Sequence, residues 1–115
     1  MTEYRRGEIW WASLPDPTGS MPGFRRPVVI ISSNQFNRSN IQTVLVVILT
    51  SNLRLSSSRG NVLLSTKRTG LPKDSVANVT QVVTLDKSLL TEKLGDLSSD
   101  LIQKLEQGLR LVMAL

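Results

Sequence analysis

The residues best placed to do chemistry are an arginine at the entrance to one apolar strand and a threonine at the exit of another. Arg26 stands before Pro27 and the run Val28-Val29-Ile30-Ile31, and Thr50 ends the run Thr43-Val-Leu-Val-Val-Ile-Leu-Thr50. Proline drives its predecessor out of the helical region, so Arg26 is held extended, and proline suits the first position of a strand. Were strands 27–32 and 43–50 to pair antiparallel, as consecutive strands often do, Arg26 and Thr50 would lie at the same end of the sheet. A guanidinium and a hydroxyl there are donors for an anionic group. Gln81, mid-strand among valines, is a third candidate, and a surface hairpin with solvated arginines is the simpler alternative.

Other chemistries are excluded by what the chain lacks. It has no cysteine, hence no disulfide, thiolate nucleophile or thiolate metal site, and no histidine, the usual neutral-pH base and commonest metal ligand. No phosphate-binding glycine loop, zinc spacing or catalytic triad is present, so neither a metal nor another cofactor is expected. The net charge is +5 and is unevenly placed. Residues 1–70 hold nine basic groups against three acids, and residues 71–115 hold five against six. This arginine-rich front suits a polyanion or an acidic peptide.

The 115 residues suffice for a single domain, 1–115, burying about two thirds of its unfolded surface. No signal segment or membrane-length apolar run is apparent, which predicts a cytoplasmic protein with no membrane partner. The pattern predicts strands over 7–14, 27–32, 43–50 (central and buried), 61–65 and 74–85, with a short edge strand over 93–97. Trp10 and Trp11, adjacent in the first strand, must face opposite sides, one into the core and one toward a surface. Residues 33–40 read as a loop or one helical turn, 67–72 as a basic turn and 86–90 as a helical turn. The serine- and arginine-rich stretch 51–60 holds too little apolar content to pack firmly and is expected to be mobile. From Ser98 or Ser99 onward, Leu101, Ile102, Leu105, Leu109, Val112 and Met113 recur at helical spacing, with Lys104, Glu106 and Arg110 opposite and Gly108 permitting close packing. The fold class is mainly β with short helices: a small, mostly antiparallel barrel with a C-terminal α-helix.

Arg6-Gly7-Glu8-Ile9-Trp10, Gly19-Ser20, Arg26-Pro27-Val28-Val29-Ile30, Thr50-Ser51 and Gln81-Val82, in that order and over essentially the whole chain, resemble the MazF/PemK family of bacterial toxins. The resemblance implies SH3-like barrels paired as a homodimer, and metal-independent, sequence-specific cleavage of single-stranded RNA. It also implies neutralisation by a cognate antitoxin whose acidic and apolar C-terminal segment lies across the RNA groove. By position, the catalytic arginine falls on Arg26 and the catalytic threonine on Thr50, while Ser20 and Gln81 fall on the RNA-binding surface. Phe24 is a candidate stacking platform or a core-closing aromatic, and Arg25 and Arg54 are candidate phosphate contacts. Ser51 and Asn52, emerging beside Thr50, complete the candidate RNA-binding set. Met21 replaces a common glutamate and Val83 a common basic residue, so the cleavage motif is not inherited.

In metal-free RNA cleavage the 2′-hydroxyl attacks phosphorus and charge gathers on the phosphate oxygens. A guanidinium matches two of those oxygens and a fixed hydroxyl donates to one. Arginine does not deprotonate in proteins, so Arg26 is assigned first to charge stabilisation. The expected products are a 2′,3′-cyclic phosphate and a 5′-hydroxyl. Two alternatives are a same-fold toxin directed at a protein such as gyrase and a non-catalytic RNA-binding module. Gyrase-directed relatives end Trp-Gly-Ile, whereas this chain ends Met113-Ala114-Leu115.

Overall fold

The computed structural model describes residues 2–14 and 24–115. Six strands, β1 (Glu8–Leu14), β2 (Phe24–Ile30), β3 (Thr43–Thr50), β4 (Val62–Leu64), β5 (Ser75–Asp86) and β6 (Leu90–Asp96), form one curled, barrel-like sheet in the order β4-β5-β3-β2-β1-β6. Every pairing in it is antiparallel. Short helices α1 (Asn34–Arg38) and α2 (Thr66–Thr69) and the long α3 (Ser99–Met113) complete the described elements, with 3₁₀ turns at Leu53–Ser57 and Lys87–Leu89.

The strand alternation builds two apolar layers. Trp10, Ala12, Val28, Ile30, Val46 and Ile48 project to one face and close on Leu85 and Leu90 inside the curl. Ile9, Val29, Val47 and Leu49 project to the other, where Leu101, Leu105 and Leu109 of α3 cover them. Each such leucine contributes about 1.5–3 kcal/mol by leaving water. As expected, β3 is central, although Leu45 on it is exposed.

Several expectations are corrected. Pro27 is not the first residue of its strand: β2 begins at Phe24, and the ladder to β1 runs through Pro27 while the ladder to β3 stops at Val28. Proline lacks a donor and sits where one flank of the strand is already unpaired. Within the stretch expected to be mobile, residues 53–57 form a 3₁₀ turn. Asn52 caps it by accepting from the Arg54 N–H at 3.3 Å, and the Asn61 amide donates to the Leu55 carbonyl at 2.9 Å. The basic turn contains α2, closed by Gly70 in the left-handed conformation at φ 78°. The edge strand starts earlier than expected, at Leu90. In α3, Ser98 is the cap position but its hydroxyl bonds Asp100 and Arg68, and Val112 and Met113 remain exposed.

The start of the chain is tied to β6 by Glu8, only 5% exposed. Its Oε1 accepts from the Arg5 N–H at 2.9 Å and the Trp10 indole N–H at 3.1 Å, and Oε2 pairs with Lys93 at 3.1 Å. Burial is the largest single influence on this carboxyl and pushes its pKa up; the three donors together outweigh it and leave the pKa below the ordinary value. The hydrogen bond that Lys93 donates to Glu8, and then the nearby Asp96, push Lys93 up.

Candidate active site

The end of the sheet where β2 begins and β3 finishes gathers most of the sequence candidates. Residues advance in step along the β2–β3 ladder, from Ile30–Val46 through Val29–Val47 to Val28–Ile48. Arg26 and Thr50 each lie two residues past the last of these pairs, at the same end of the sheet. Arg26 also pairs with Ala12 of β1, so its backbone is fixed from one side by a buried strand. Both Arg26 and Thr50 are half-buried. Among the described residues Arg26 has no ion-pair partner, whereas Thr50 Oγ1 accepts from the Asn52 N–H at 3.2 Å. That contact fixes the oxygen and leaves the hydroxyl hydrogen available to donate outward.

Arg25 is placed differently, because consecutive strand residues face opposite sides. Its guanidinium carbon lies 4.4 Å from the centroid of the Trp11 ring, and its Nη2 pairs with Glu92 Oε1 at 3.2 Å. Trp10 is buried beside Tyr4, with ring centroids 5.1 Å apart, so the two tryptophans divide as their alternation requires. A groove of about 340 Å³ opens at this end, lined by Trp11, Phe24, Arg25 and Arg26, and across it by Ser51 and Lys73. Leu49 and Ser51, which flank Thr50, both line it, whereas Thr50 itself is not part of the lining.

The remaining candidates scatter. Phe24 takes a left-handed φ of 61° and is 66% exposed, so it does not close the core. Asn52 spends its side-chain oxygen on capping the 3₁₀ turn, and Arg54 is exposed within that turn, away from the groove lining. Gln81 lies in a bulge of β5, where four residues between Ala77 and Val82 face Ile48 alone, and it too is outside the groove lining. Ser20 lies outside the described residues. Trp11, Glu92, Lys73 and Ser75 were not singled out from sequence. The tryptophan alternation puts one of Trp10 and Trp11 at a surface without saying which, and the pairing of Thr50 with Val76 brings the start of β5 alongside; nothing in the sequence marks Glu92.

Among the described residues no three acidic side chains cluster as a metal site would need. No helix there is long and apolar enough to cross a membrane.

Comparison with known proteins places these features in a family. Residues 5–113 match the model for the PemK-like, MazF-like toxin of type II toxin-antitoxin systems. The chain is 46% identical over 110 residues to Endoribonuclease MazF6 of Mycobacterium tuberculosis, covering 96% of each, and 32% identical over 111 residues to Endoribonuclease EndoA of Bacillus subtilis, covering 96% of this chain and 95% of the relative. It superposes with a TM-score of 0.76 and 25% identity on a mycobacterial endoribonuclease in complex with its cognate antitoxin, covering 100% of this chain and 97% of that one. The chain therefore belongs to the PemK-like, MazF-like toxin family.

Proposed function

We propose that this protein is a toxin endoribonuclease that cleaves single-stranded RNA without a metal, and that its catalytic pair is Arg26 and Thr50. What supports the reading is that both lie two residues beyond the last β2–β3 pair, at the end of the sheet where Arg26 also lines a groove with basic and aromatic walls. The 2′-oxygen forms a bond to phosphorus and gives up its proton, the bond from phosphorus to the 5′-oxygen breaks, and the leaving oxygen takes a proton. Arg26 offers two parallel N–H donors to the non-bridging oxygens as their charge grows, and Thr50 offers one more. Each preorganised donor of this kind is typically worth about 3 kcal/mol of barrier. Arg25, Phe24 and Ser51 line the path for the strand on either side, and the excess of arginine draws the polyanion in.

The relatives named as endoribonucleases, and the related structure holding a cognate antitoxin, support the further reading that a cytoplasmic antitoxin neutralises the protein. An acidic and apolar segment of that partner suits the same basic, aromatic groove. The apolar end of α3, with Leu111, Val112, Met113 and Leu115 exposed, suits a homodimer contact. The 115 residues act as one domain in this reading.

Incubation with long single-stranded RNA in EDTA tests the proposal. Internal cuts leaving a 5′-hydroxyl and a 2′,3′-cyclic phosphate are expected. Retention of RNA without cutting would instead identify a binding module, and neither cutting nor retention would point to a protein target.

A further inference from the structure

Arg25 is held in a way that a simple phosphate anchor does not need. Trp11 of β1 pairs with Pro27 on one side and Glu92 of β6 on the other, so three adjacent strands converge at this point. Arg25 follows on the same face of β2, diagonal to Trp11, stacked on its ring at 4.4 Å and bonded to Glu92 at 3.2 Å. The ring and the carboxylate hold the guanidinium against β1 and β6. The carboxylate also offsets its charge, which weakens it as a phosphate contact. The Arg25 side chain is 56% exposed and lines the groove that Arg26 also lines.

We propose that Arg25, clamped by Trp11 and Glu92, is a stacking platform for one nucleobase beside the scissile phosphate, and that Glu92 selects a base carrying an exocyclic amino group. Unstacked bases lie on arginine planes as readily as on aromatic rings. A carboxylate only accepts hydrogen bonds. Glu92 gives Oε1 to Arg25, and Oε2 has no partner among the described residues. That oxygen accepts from the exocyclic amino group of adenine, cytosine or guanine, a donor that uracil alone lacks. The groove volume of about 340 Å³ falls in the range of small-ligand sites. Trp11 and Glu92 are thus positioning residues for Arg25, with Glu92 also touching the base. This inference rests on the RNA-cleaving reading above.

The test maps the 5′ ends of fragments released from a pooled RNA by the wild-type chain, Arg25→Lys and Glu92→Gln, after thermal melts show all three folded. Arg25→Lys keeps the charge and loses the plane. It is expected to raise KM about tenfold with kcat nearly unchanged, and to flatten the preference at one position next to the cut while the others persist. Glu92→Gln adds a donor and is expected to raise the share of uracil at that one position. Identical cleavage profiles in all three chains would overturn the proposal, as would an Arg25→Lys effect confined to the salt dependence. A wild-type chain that makes no cuts would overturn the RNA-cleaving reading and this subsite with it.

Discussion

Arg26 and Thr50 each lie two residues beyond the paired Val28 and Ile48, at the end of the sheet where β2 begins and β3 finishes. The relationship comes from register, so it persists when either side chain is shortened. Arg26→Ala is expected to lower kcat by at least a hundredfold, and Thr50→Val by a similar factor, with KM changed much less. Arg25→Ala acts mainly on KM, because its side chain belongs to the opposite face. Single-turnover cleavage of a defined RNA checks all three, and equal losses of kcat in Arg25→Ala and Arg26→Ala would show that the wrong arginine has been placed against Thr50.

Glu8 holds the first strand together from inside. Glu8→Ala strands the Arg5 amide and the Trp10 indole without an acceptor, at a cost of about 2–4 kcal/mol. Lys93, whose side chain is 42% exposed, is worth far less, and Lys93→Ala is expected to cost under about 1 kcal/mol. Urea unfolding of the two variants separates them. Cleavage per folded molecule should stay near the wild-type level in both.

Acid should weaken the fold through identifiable groups. Hydrogen bonds from Arg68 and then Ser98 lower the pKa of Asp100 from 3.8 to about 2, and Glu8 is lowered as well. A carboxyl whose folded pKa lies below its unfolded one adds stability that is complete above the unfolded value and disappears as pH falls through the folded value. Stability should therefore decline below about pH 4.5, with the Asp100 share lost between about 4 and 2. Lys93 runs the other way: its raised pKa adds stability that is complete below the ordinary lysine value and is lost as pH rises through the folded one. Denaturant midpoints at stepped pH test this, and Asp100→Asn should remove part of the slope between pH 4 and 2 while leaving the decline that belongs to Glu8.

What could be read from sequence was whatever local pattern decides. The β-branched run 43–50 had to be a central strand, the leucines of 101–109 had to face a core, and Pro27 singled out Arg26. Pairing of consecutive strands then brought Thr50 to the same end. The rest depends on contacts between distant segments. Glu92 meets Arg25 only because β6 returns to pair with β1, and no spacing within either segment records that return. The β5 bulge that carries Gln81 away from the groove lining arises because β3 offers one residue where β5 has four. The 3₁₀ turn after Asn52 was hidden by its polar composition, since a capping side chain and one half-buried leucine are enough to order so short a segment.

Gly108 gives the sharpest test of how α3 is seated. On helix propensity alone, Gly108→Ala should stabilise the chain by up to about 1 kcal/mol. A Cβ there, however, would lie 2.9 Å from the carbonyl carbon of Gly60 and closer still to its oxygen. Gly60 is itself at φ 87°, and Asn61 beside it bonds both the Val79 amide and the Leu55 carbonyl. The backbone of this segment therefore cannot yield without breaking those bonds, and overpacking of this kind costs about 1–3 kcal/mol. Gly108→Ala is expected to lose stability on balance, with faster amide exchange at Val79, whereas Ala at the exposed Gln107 should be neutral or mildly stabilising. Because the displaced segment leads back to Ser51 and Thr50, cleavage should also fall in Gly108→Ala and not in Gln107→Ala. A Gly108→Ala variant as stable and active as its neighbour would mean that α3 stands further from Gly60 than the packing requires.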